Sequence, residues 1–184
     1  MPNRKPLLAR MLHSILENPG VNETFEVIVH AGDQSLGAKV TRMIGLAQGT
    51  HVVVWDDDDW VSSRAIESLT PQDEDFVGFD IAVIVDDMFS ATYRHDARLK
   101  SRSMDGTGHE MGVGQKCPIR RELAAEYPYP DEYFGDLIWS AKVAELVETH
   151  TVVPKTLYYY DYRNGDRFRN VGPWPHDKSQ IRWL

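Results

Sequence analysis

The sequence predicts an α/β fold in which helices flank a mostly parallel β-sheet. The chain has 184 residues, a length that suits a single globular domain. Segments with apolar residues at helical spacing alternate with short apolar runs, and this alternation is typical of α/β architecture. Apolar residues make up 42% of the chain and charged residues 26%. That balance supports a packed core and excludes a coiled coil or full-length disorder.

The first half predicts three helices and three buried strands. Asn18-Pro19-Gly20 ends the first helix and Gly49 closes the second, because proline and glycine interrupt helical geometry. The predicted helices cover residues 7–16, 36–47 and 62–69, and the predicted strands cover residues 25–30, 51–55 and 80–85.

The second half begins with a polar segment, residues 86–116, which is rich in glycine and serine. We expect it to be irregular, with short antiparallel strands and with loops suited to ligand binding. Helices are then predicted at residues 120–126 and 137–147, and a strand at residues 156–163.

Composition excludes several functional classes. The net charge of −8 disfavours binding to extended duplex DNA. No apolar run approaches the roughly 20 residues that cross a bilayer, and residues 1–10 lack the apolar core of a secretory signal. The single cysteine, Cys117, excludes an internal disulfide and a zinc site built from several thiolates. A reducing, cytoplasmic location is therefore predicted.

Four consecutive aspartates, Asp56 to Asp59, follow a predicted buried strand and precede Trp60. Two carboxylates about 4 Å apart repel by about 4 kcal/mol at an effective dielectric of 20, and a divalent cation removes that cost. Mg²⁺ and Mn²⁺ prefer carboxylate oxygen and commonly share it with a ligand's phosphates. A solvated acidic turn is the alternative, but the position at a strand end favours a metal–phosphate site.

Several segments together resemble family-2-type glycosyltransferases of the GT-A fold. The family opens with an Asn-Arg pair before a helix carrying Leu-x-Ser-Ile, continues to an Asp-x-Asp motif, and places a later acidic motif on the helix of the catalytic base. The matching segments here are NRKPL and LHSIL within residues 3–16, LGAK at 36–39, GLAQGTHVVVWDDDD at 45–59, YFGDL at 133–137 and YYDYR at 159–163.

The resemblance implies a single GT-A-like domain with two halves. Residues 1–85 would bind nucleotide and metal, and residues 86–184 would bind the acceptor and carry the catalytic helix. The implied activity is metal-dependent transfer, with inversion, of a sugar from a nucleoside-diphosphate sugar to an acceptor hydroxyl. UDP-sugars are the first expectation for the donor, Mn²⁺ or Mg²⁺ is the implied cofactor, and the acceptor cannot be read from the sequence.

The resemblance also assigns roles to residues. Asp56 would face the donor ribose and share the cation, Asp58 would hold the cation that bridges the two phosphates, and Asp136 would be the general base. A shift of the Asp-x-Asp frame by one residue would pass the first two roles to Asp57 and Asp59. The further donor-binding candidates are Asp33, Lys39, Arg42, Asp57 and Arg163.

Two features depart from the family pattern. The family has an apolar strand before the Asn-Arg pair, whereas this sequence starts at the pair, Asn3-Arg4. The resemblance is thus to an N-terminally shortened member, in which a second copy of the chain, as in a homodimer, or an open sheet edge takes that strand's place. The acidic pair that contacts uracil in the family is represented here by Asp33 in His30-Ala31-Gly32-Asp33.

Other interpretations remain open. The chain could be a binding module that kept the donor pocket and lost transfer. A haloacid-dehalogenase-type phosphatase fits the order of acids, since Asp57-x-Asp59 and Asp86-Asp87 each follow an apolar strand, but the spacing leaves no room for its intervening motifs.

Individual candidates also have plainer interpretations. Without the resemblance, Asp136 is better explained as an acid in the first turn of a helix, where the helix dipole stabilises it. Lys39 and Arg42 would equally suit a solvated helix face. His109 and His176 could supply a third metal ligand, but a lone histidine is more often a surface or core residue. Arg167 and Arg169, with Arg163, would suit phosphate contacts and a charged surface tail equally well. Trp60 and Trp174 could stack on sugars, whereas Trp139 lies within a predicted helix and suits core packing better.

Overall fold

The computed structural model describes residues 4–21, 25–70, 73–99, 102–104 and 108–162. Arg163, Arg167, Arg169, Trp174 and His176 lie outside these residues. Within them the helices are α1 Lys5–Leu16, α2 Leu36–Leu46, α3 Ala65–Leu69, α4 Arg121–Ala125 and α5 Gly135–Ala144. The strands are β1 His51–Val52, β2 Trp60–Val61, β3 Phe76–Val85, β4 Met88–His95, β5 Arg102–Met104, β6 Gly108–Met111, β7 Ile119–Arg120 and β8 His150–Tyr162. The predicted α/β class is confirmed.

The sheet is mixed, so the prediction of a mostly parallel sheet is wrong. Its strand order is β1-β7-β3-β4-β6-β5, and β8 pairs with both β3 and β2. Among the strands in the described ranges, β3 with β8 and β4 with β6 are parallel, and the other pairs are antiparallel. Asp86 and Asp87 both have positive φ, 51° and 69°, as the two central residues of a type I′ turn require. This turn makes β3 and β4 a hairpin.

Two predicted strands differ from the structure. Residues 25–30 form no strand: Val27 and Val29 are exposed, and Phe25 stacks on Trp55 with 5.7 Å between ring centroids. A short apolar run has the same pattern in a buried strand and in an extended surface segment, which explains the error. The strand predicted at residues 51–55 is reduced to β1, His51–Val52.

The polar segment at residues 86–116 contains more sheet than predicted. It carries β4, which is eight residues long, as well as the short strands β5 and β6. Most of β4 is exposed or half-buried and its sequence, MFSATYRH, is polar at alternate positions. The hydrophobic pattern of β4 therefore predicted a strand only weakly. Pairing with the buried strand β3 makes this segment a strand.

The core lies between the helices and the strands β3 and β8. Leu7, Met11 and Ile15 form the buried side of α1, at the helical spacing that predicted this helix. Trp139 is buried in α5, and Trp60 is buried against Tyr159, with ring centroids 5.4 Å apart. Neither tryptophan presents an open face to a ligand. None of the helices in the described ranges has the length and apolar character needed to cross a membrane.

Candidate functional site

The acidic run lies between β1 and β2, and β8 fixes its last residue. Trp60 of β2 pairs with Tyr159 of β8, which brings Asp59 against β8. The backbone N–H of Asp161 donates to Asp59 Oδ1 at 2.8 Å, and the Tyr158 hydroxyl donates to Asp59 Oδ2 at 2.5 Å. The Asp59 side chain is 1% exposed. Burial raises its pKa to about 7, although Lys116 opposes the rise.

Asp56 and Asp58 face outward from the same run. Their side chains are 42% and 22% exposed. One carboxylate oxygen from each of Asp56, Asp58 and Asp59 lies within 4.8 Å of the others. Burial raises the pKa of Asp58, and Arg4 opposes that rise. Because these hard oxygen donors converge at a partly open surface, the residues fit a Mg²⁺ or Mn²⁺ ion.

Three basic side chains partly neutralise the run. Arg4 pairs with Asp57 and, at 3.0 Å, with Asp58. Arg10 pairs with Asp161 at 2.8 Å, and its guanidinium also donates to the backbone carbonyl of Asp58.

The third cation is Lys116, which pairs with Asp56 and lies 3.7 Å from Asp59. Counted over the described residues, this network joins five carboxylates to three cations and, fully ionised, carries two excess negative charges. A divalent cation would balance that excess.

Asp136 lies in the first turn of α5 and is half-buried. Phe134, which precedes the helix, has a left-handed backbone with φ 66°. Burial raises the pKa of Tyr129, and the carboxylates of Asp136 and Asp56 add to the rise. The Tyr129 hydroxyl donates to Gln115 Oε1 at 2.5 Å. The candidate base and the acidic run thus both raise the pKa of the same tyrosine hydroxyl.

Helix α2 is held against the segment that leads to Asp136. The Gly37 N–H donates to Asp131 Oδ1 at 3.1 Å, and the Tyr129 N–H donates to Thr41 Oγ1 at 2.9 Å. A Cβ at position 37 would lie 2.5 Å from the Tyr129 carbonyl oxygen, so only glycine allows this approach. Both anchors join α2 to the chain just before α5.

The other predicted donor-binding residues lie around α2 or outside the described ranges. Asp33 is exposed before the helix, Lys39 is half-buried and Arg42 is exposed. Among the described residues, no ion pair joins these three to the acidic run. Arg163 lies beyond the residues that the structure describes. His109 packs edge-on against Tyr93 at 4.8 Å between ring centroids and is not part of the acidic group.

Four residues of the network were not singled out from the sequence. Arg10 lies within an amphipathic helix and Lys116 within a polar segment, and neither context signals a role. Tyr158 and Asp161 belong to the predicted last strand, but their partners are about one hundred positions away. Only the pairing of β2 with β8 brings them to Asp59.

No protein-family model matches the sequence, and no curated protein sequence matches it. Solved structures do match. The crystal structure of S. aureus TarS 1–349 has a TM-score of 0.63 and 14% identity, and covers 88% of this chain and 58% of the TarS chain. The complex of TarS 1–349 with UDP-GlcNAc has a TM-score of 0.63 and 12% identity, covering 98% of this chain and 62% of that one.

The complex of TarS 1–349 with UDP has a TM-score of 0.60 and 15% identity, covering 88% of this chain and 58% of that one. This chain thus spans only about three fifths of the TarS 1–349 length. Sequence identity this low shows a shared fold and nothing finer. The α/β domain described above has the fold of structures that were crystallised with UDP-GlcNAc and with UDP.

Proposed function

We propose that this chain is a metal-dependent glycosyltransferase that moves a sugar from a UDP-sugar to an acceptor hydroxyl with inversion at the anomeric carbon. One observation carries the proposal. The carboxylates of Asp56, Asp58 and Asp59 converge within 4.8 Å in the segment between β1 and β2, in a fold shared with TarS structures that hold UDP or UDP-GlcNAc. We assign the fold to the GT-A class on the same grounds, with residues 1–85 binding the donor and 86–184 the acceptor.

The exposure of the acidic residues supports one frame of the Asp-x-Asp pair. Asp59 is buried and both of its oxygens accept hydrogen bonds from β8, and Asp57 is not part of the converging group. Asp56 and Asp58 are the more open carboxylates of the converging group. We therefore assign the cation to Asp58 and Asp56, and the donor ribose to Asp56. When bound, Mn²⁺ or Mg²⁺ would neutralise charge on the donor's diphosphate.

Asp136 is the proposed general base. Its carboxylate takes the proton of the acceptor hydroxyl while that oxygen forms a bond to the anomeric carbon. The bond from the anomeric carbon to the diphosphate oxygen breaks, and its electron pair leaves with the nucleoside diphosphate. Attack from the opposite side inverts the configuration. A base that takes the proton in this way contributes about 10² to 10⁴ in rate.

Asp33, Lys39, Arg42, Asp57 and Arg163 are the proposed donor-side contacts, and we assign the two arginines and the lysine to the donor's phosphates or base. Arginine suits phosphate because its guanidinium binds two oxygens at once. We place the reaction in the cytoplasm, where UDP-sugars and a single reduced cysteine are both expected.

The proposed function is tested first by nucleotide binding and then by turnover of the sugar nucleotide. Calorimetry with UDP, UDP-GlcNAc and ADP, each with and without Mn²⁺, should give the tightest binding for a uridine nucleotide with the cation present. Release of UDP from the bound sugar nucleotide, followed over hours, then distinguishes an enzyme from a binding module. Absence of binding by every nucleotide in the presence of Mn²⁺ would overturn the proposed function.

A further inference from the structure

Lys116 is held in a fixed place beside the acidic run. The Val54 N–H donates to the Gln115 carbonyl at 2.8 Å, and the Trp55 indole N–H donates to the Lys116 carbonyl at 3.0 Å. These two bonds join the backbone of Lys116 to the residues that lead directly into Asp56. The position of the lysine is thus set by the same segment that sets the position of the acidic run.

The ammonium group of Lys116 is almost completely withdrawn from water. Its side chain is 12% exposed, pairs with Asp56 and lies 3.7 Å from Asp59. The nitrogen also lies 5.2 Å from the centre of the Tyr158 ring and 6.0 Å from that of Tyr160. Carboxylates and aromatic faces both attract a cation, and in a poorly hydrated site this attraction is strong. The lysine is therefore a buried counter-charge and not a mobile surface group.

The lysine and a divalent cation need the same carboxylate. Asp56 belongs to the group that converges within 4.8 Å and is the ion-pair partner of Lys116, whose nitrogen also lies 3.7 Å from Asp59. A divalent ion bound to Asp56 and Asp58 would face a fixed positive charge at short range and would have to share the Asp56 oxygens with the ammonium group. Both effects lower the affinity of the nucleotide-free cluster for metal.

We propose that Lys116 is an internal counter-cation that competes with the divalent metal for Asp56, so that metal binds tightly only together with a nucleoside diphosphate. The diphosphate supplies oxygen ligands of its own and additional negative charge, which offset the competition. This inference rests on the proposed function and extends it by naming the residue that sets the order of metal and donor binding.

Because Lys116 is buried, it could have a purely structural role. Variants that keep or remove its positive charge distinguish that role from competition with the metal. Lys116→Arg keeps a cation at the position, whereas Lys116→Gln removes it. Lys142→Gln is the matched control, because Lys142 also lies over a tyrosine ring, with its nitrogen 5.6 Å from the centre of Tyr127. The ion pairs found in the described part of the chain do not connect Lys142 to the acidic run.

The experiment measures Mn²⁺ binding to the nucleotide-free full chain by the electron paramagnetic resonance signal of free Mn²⁺. Lys116→Gln should bind Mn²⁺ about tenfold more tightly than wild type or better, because the repulsive charge has gone. Lys116→Arg and Lys142→Gln should match wild type. Adding UDP should tighten Mn²⁺ binding strongly in wild type and much less in Lys116→Gln.

Unchanged Mn²⁺ affinity in Lys116→Gln, including no binding by either protein, overturns the inference. Thermal unfolding establishes that each variant is folded. If the single change unfolds the chain by leaving Asp59 unpaired, the same comparison is made between Asp59→Asn and the double variant Asp59→Asn/Lys116→Gln, in which the buried pair is removed together. The nucleotide-free Mn²⁺ comparison tests the competition by itself. Failure of wild type to bind UDP or UDP-GlcNAc overturns the proposed function, and with it the nucleotide part of this inference, but not the competition between Lys116 and metal.

Discussion

The Tyr158 hydroxyl joins the two ends of the acidic run, because it donates to the Asp59 carboxylate at 2.5 Å and accepts the backbone N–H of Asp56 at 3.1 Å. Burial and the neighbouring carboxylates of Asp59 and Asp56 hold the pKa of Tyr158 well above its ordinary value. The hydroxyl therefore keeps its proton at neutral pH and remains a donor. One side chain of β8 thus fixes the shape of a turn about one hundred positions earlier.

Tyr158→Phe should destabilise the fold. The change leaves a buried carboxylate oxygen without its donor, which costs about 1–3 kcal/mol of unfolding free energy. Urea denaturation measures the loss. Tyr159→Phe is the control, because it removes the same atom from the next residue of β8, which stacks on Trp60. Equal losses in the two variants would contradict the role given to the Tyr158 hydroxyl.

Asp58→Ala should weaken donor binding only when the cation is present. With Mn²⁺, the dissociation constant for UDP-GlcNAc should rise by about tenfold or more, equivalent to at least about 1.4 kcal/mol. Without Mn²⁺ the variant should resemble wild type. Calorimetry measures both, and the exposed Asp73→Ala change is the control. Equal affinities of wild type and Asp58→Ala in Mn²⁺ would remove Asp58 from the metal site.

Asp136→Asn should abolish transfer and spare donor binding. The amide keeps the shape of the side chain but cannot accept the acceptor's proton, a loss of about 10² to 10⁴ in turnover. Turnover is measured as UDP release, and donor affinity by calorimetry. Glu132→Gln is the control and also the next candidate for the base.

Asp131 is a poorer alternative base because its carboxylate accepts hydrogen bonds from the Ser35 side chain and the Gly37 N–H, which lower its pKa. Near-normal turnover of Asp136→Asn together with inactive Glu132→Gln would transfer the role to Glu132.

Phe134→Gly should be more stable than Phe134→Ala. Phe134 has φ 66°, a left-handed conformation that costs a residue with a Cβ about 1–2 kcal/mol and costs glycine little. Both variants lose the same phenyl ring, and the Phe134 side chain is largely exposed. The difference between their unfolding free energies therefore measures the cost of the left-handed backbone conformation. Chemical denaturation should give a difference of about 1 kcal/mol. The reverse order would mean that position 134 is not strained.

His95 should make the fold sensitive to acid. Burial lowers the pKa of His95, although its hydrogen bond to the Gly112 carbonyl, at 2.9 Å, opposes this. The unfolded chain, in which histidine has a pKa of about 6.5, therefore takes up the proton first as the pH falls. The stabilising contribution is fully present above about pH 6.5 and is lost on acidification. The unfolding free energy of wild type minus that of His95→Asn, measured from pH 7.5 to pH 5, should fall, and a constant difference would contradict the argument.

The sequence predicted best those elements whose apolar pattern depends on local geometry. Helices α1 and α2 have the spacing of an amphipathic helix, and their bounds are confirmed within two residues. Strands β3 and β8 contain apolar runs and are confirmed where they were predicted, but they begin four and six residues earlier. The acidic run could be recognised from the sequence because four consecutive aspartates after a predicted strand repel one another unless a cation binds them. Its assignment to metal and donor stays a prediction.

The errors arose where distant pairing decides structure. Residues 25–30 have the apolar content of a strand but lie at no sheet position, and β4 has a polar sequence but pairs with β3 along its length. The direction of the strands was wrong because the Asp86–Asp87 turn makes a hairpin that apolar patterns do not reveal. Lys116 was missed for the same reason, since its partners are some sixty positions away.

Strand β8 has a consequence for how the chain folds and for how it can be divided. It is a parallel neighbour of β3 over ten register pairs and also supplies Tyr158 and Asp161 to Asp59. A fragment ending at residue 85 would therefore contain the aspartates but not the hydrogen bonds that orient them. Contacts of such long sequence separation form slowly during folding. We therefore expect the acidic run to reach its shape only after β8 has paired with β3, and neither half of the domain to retain the site when it is expressed separately.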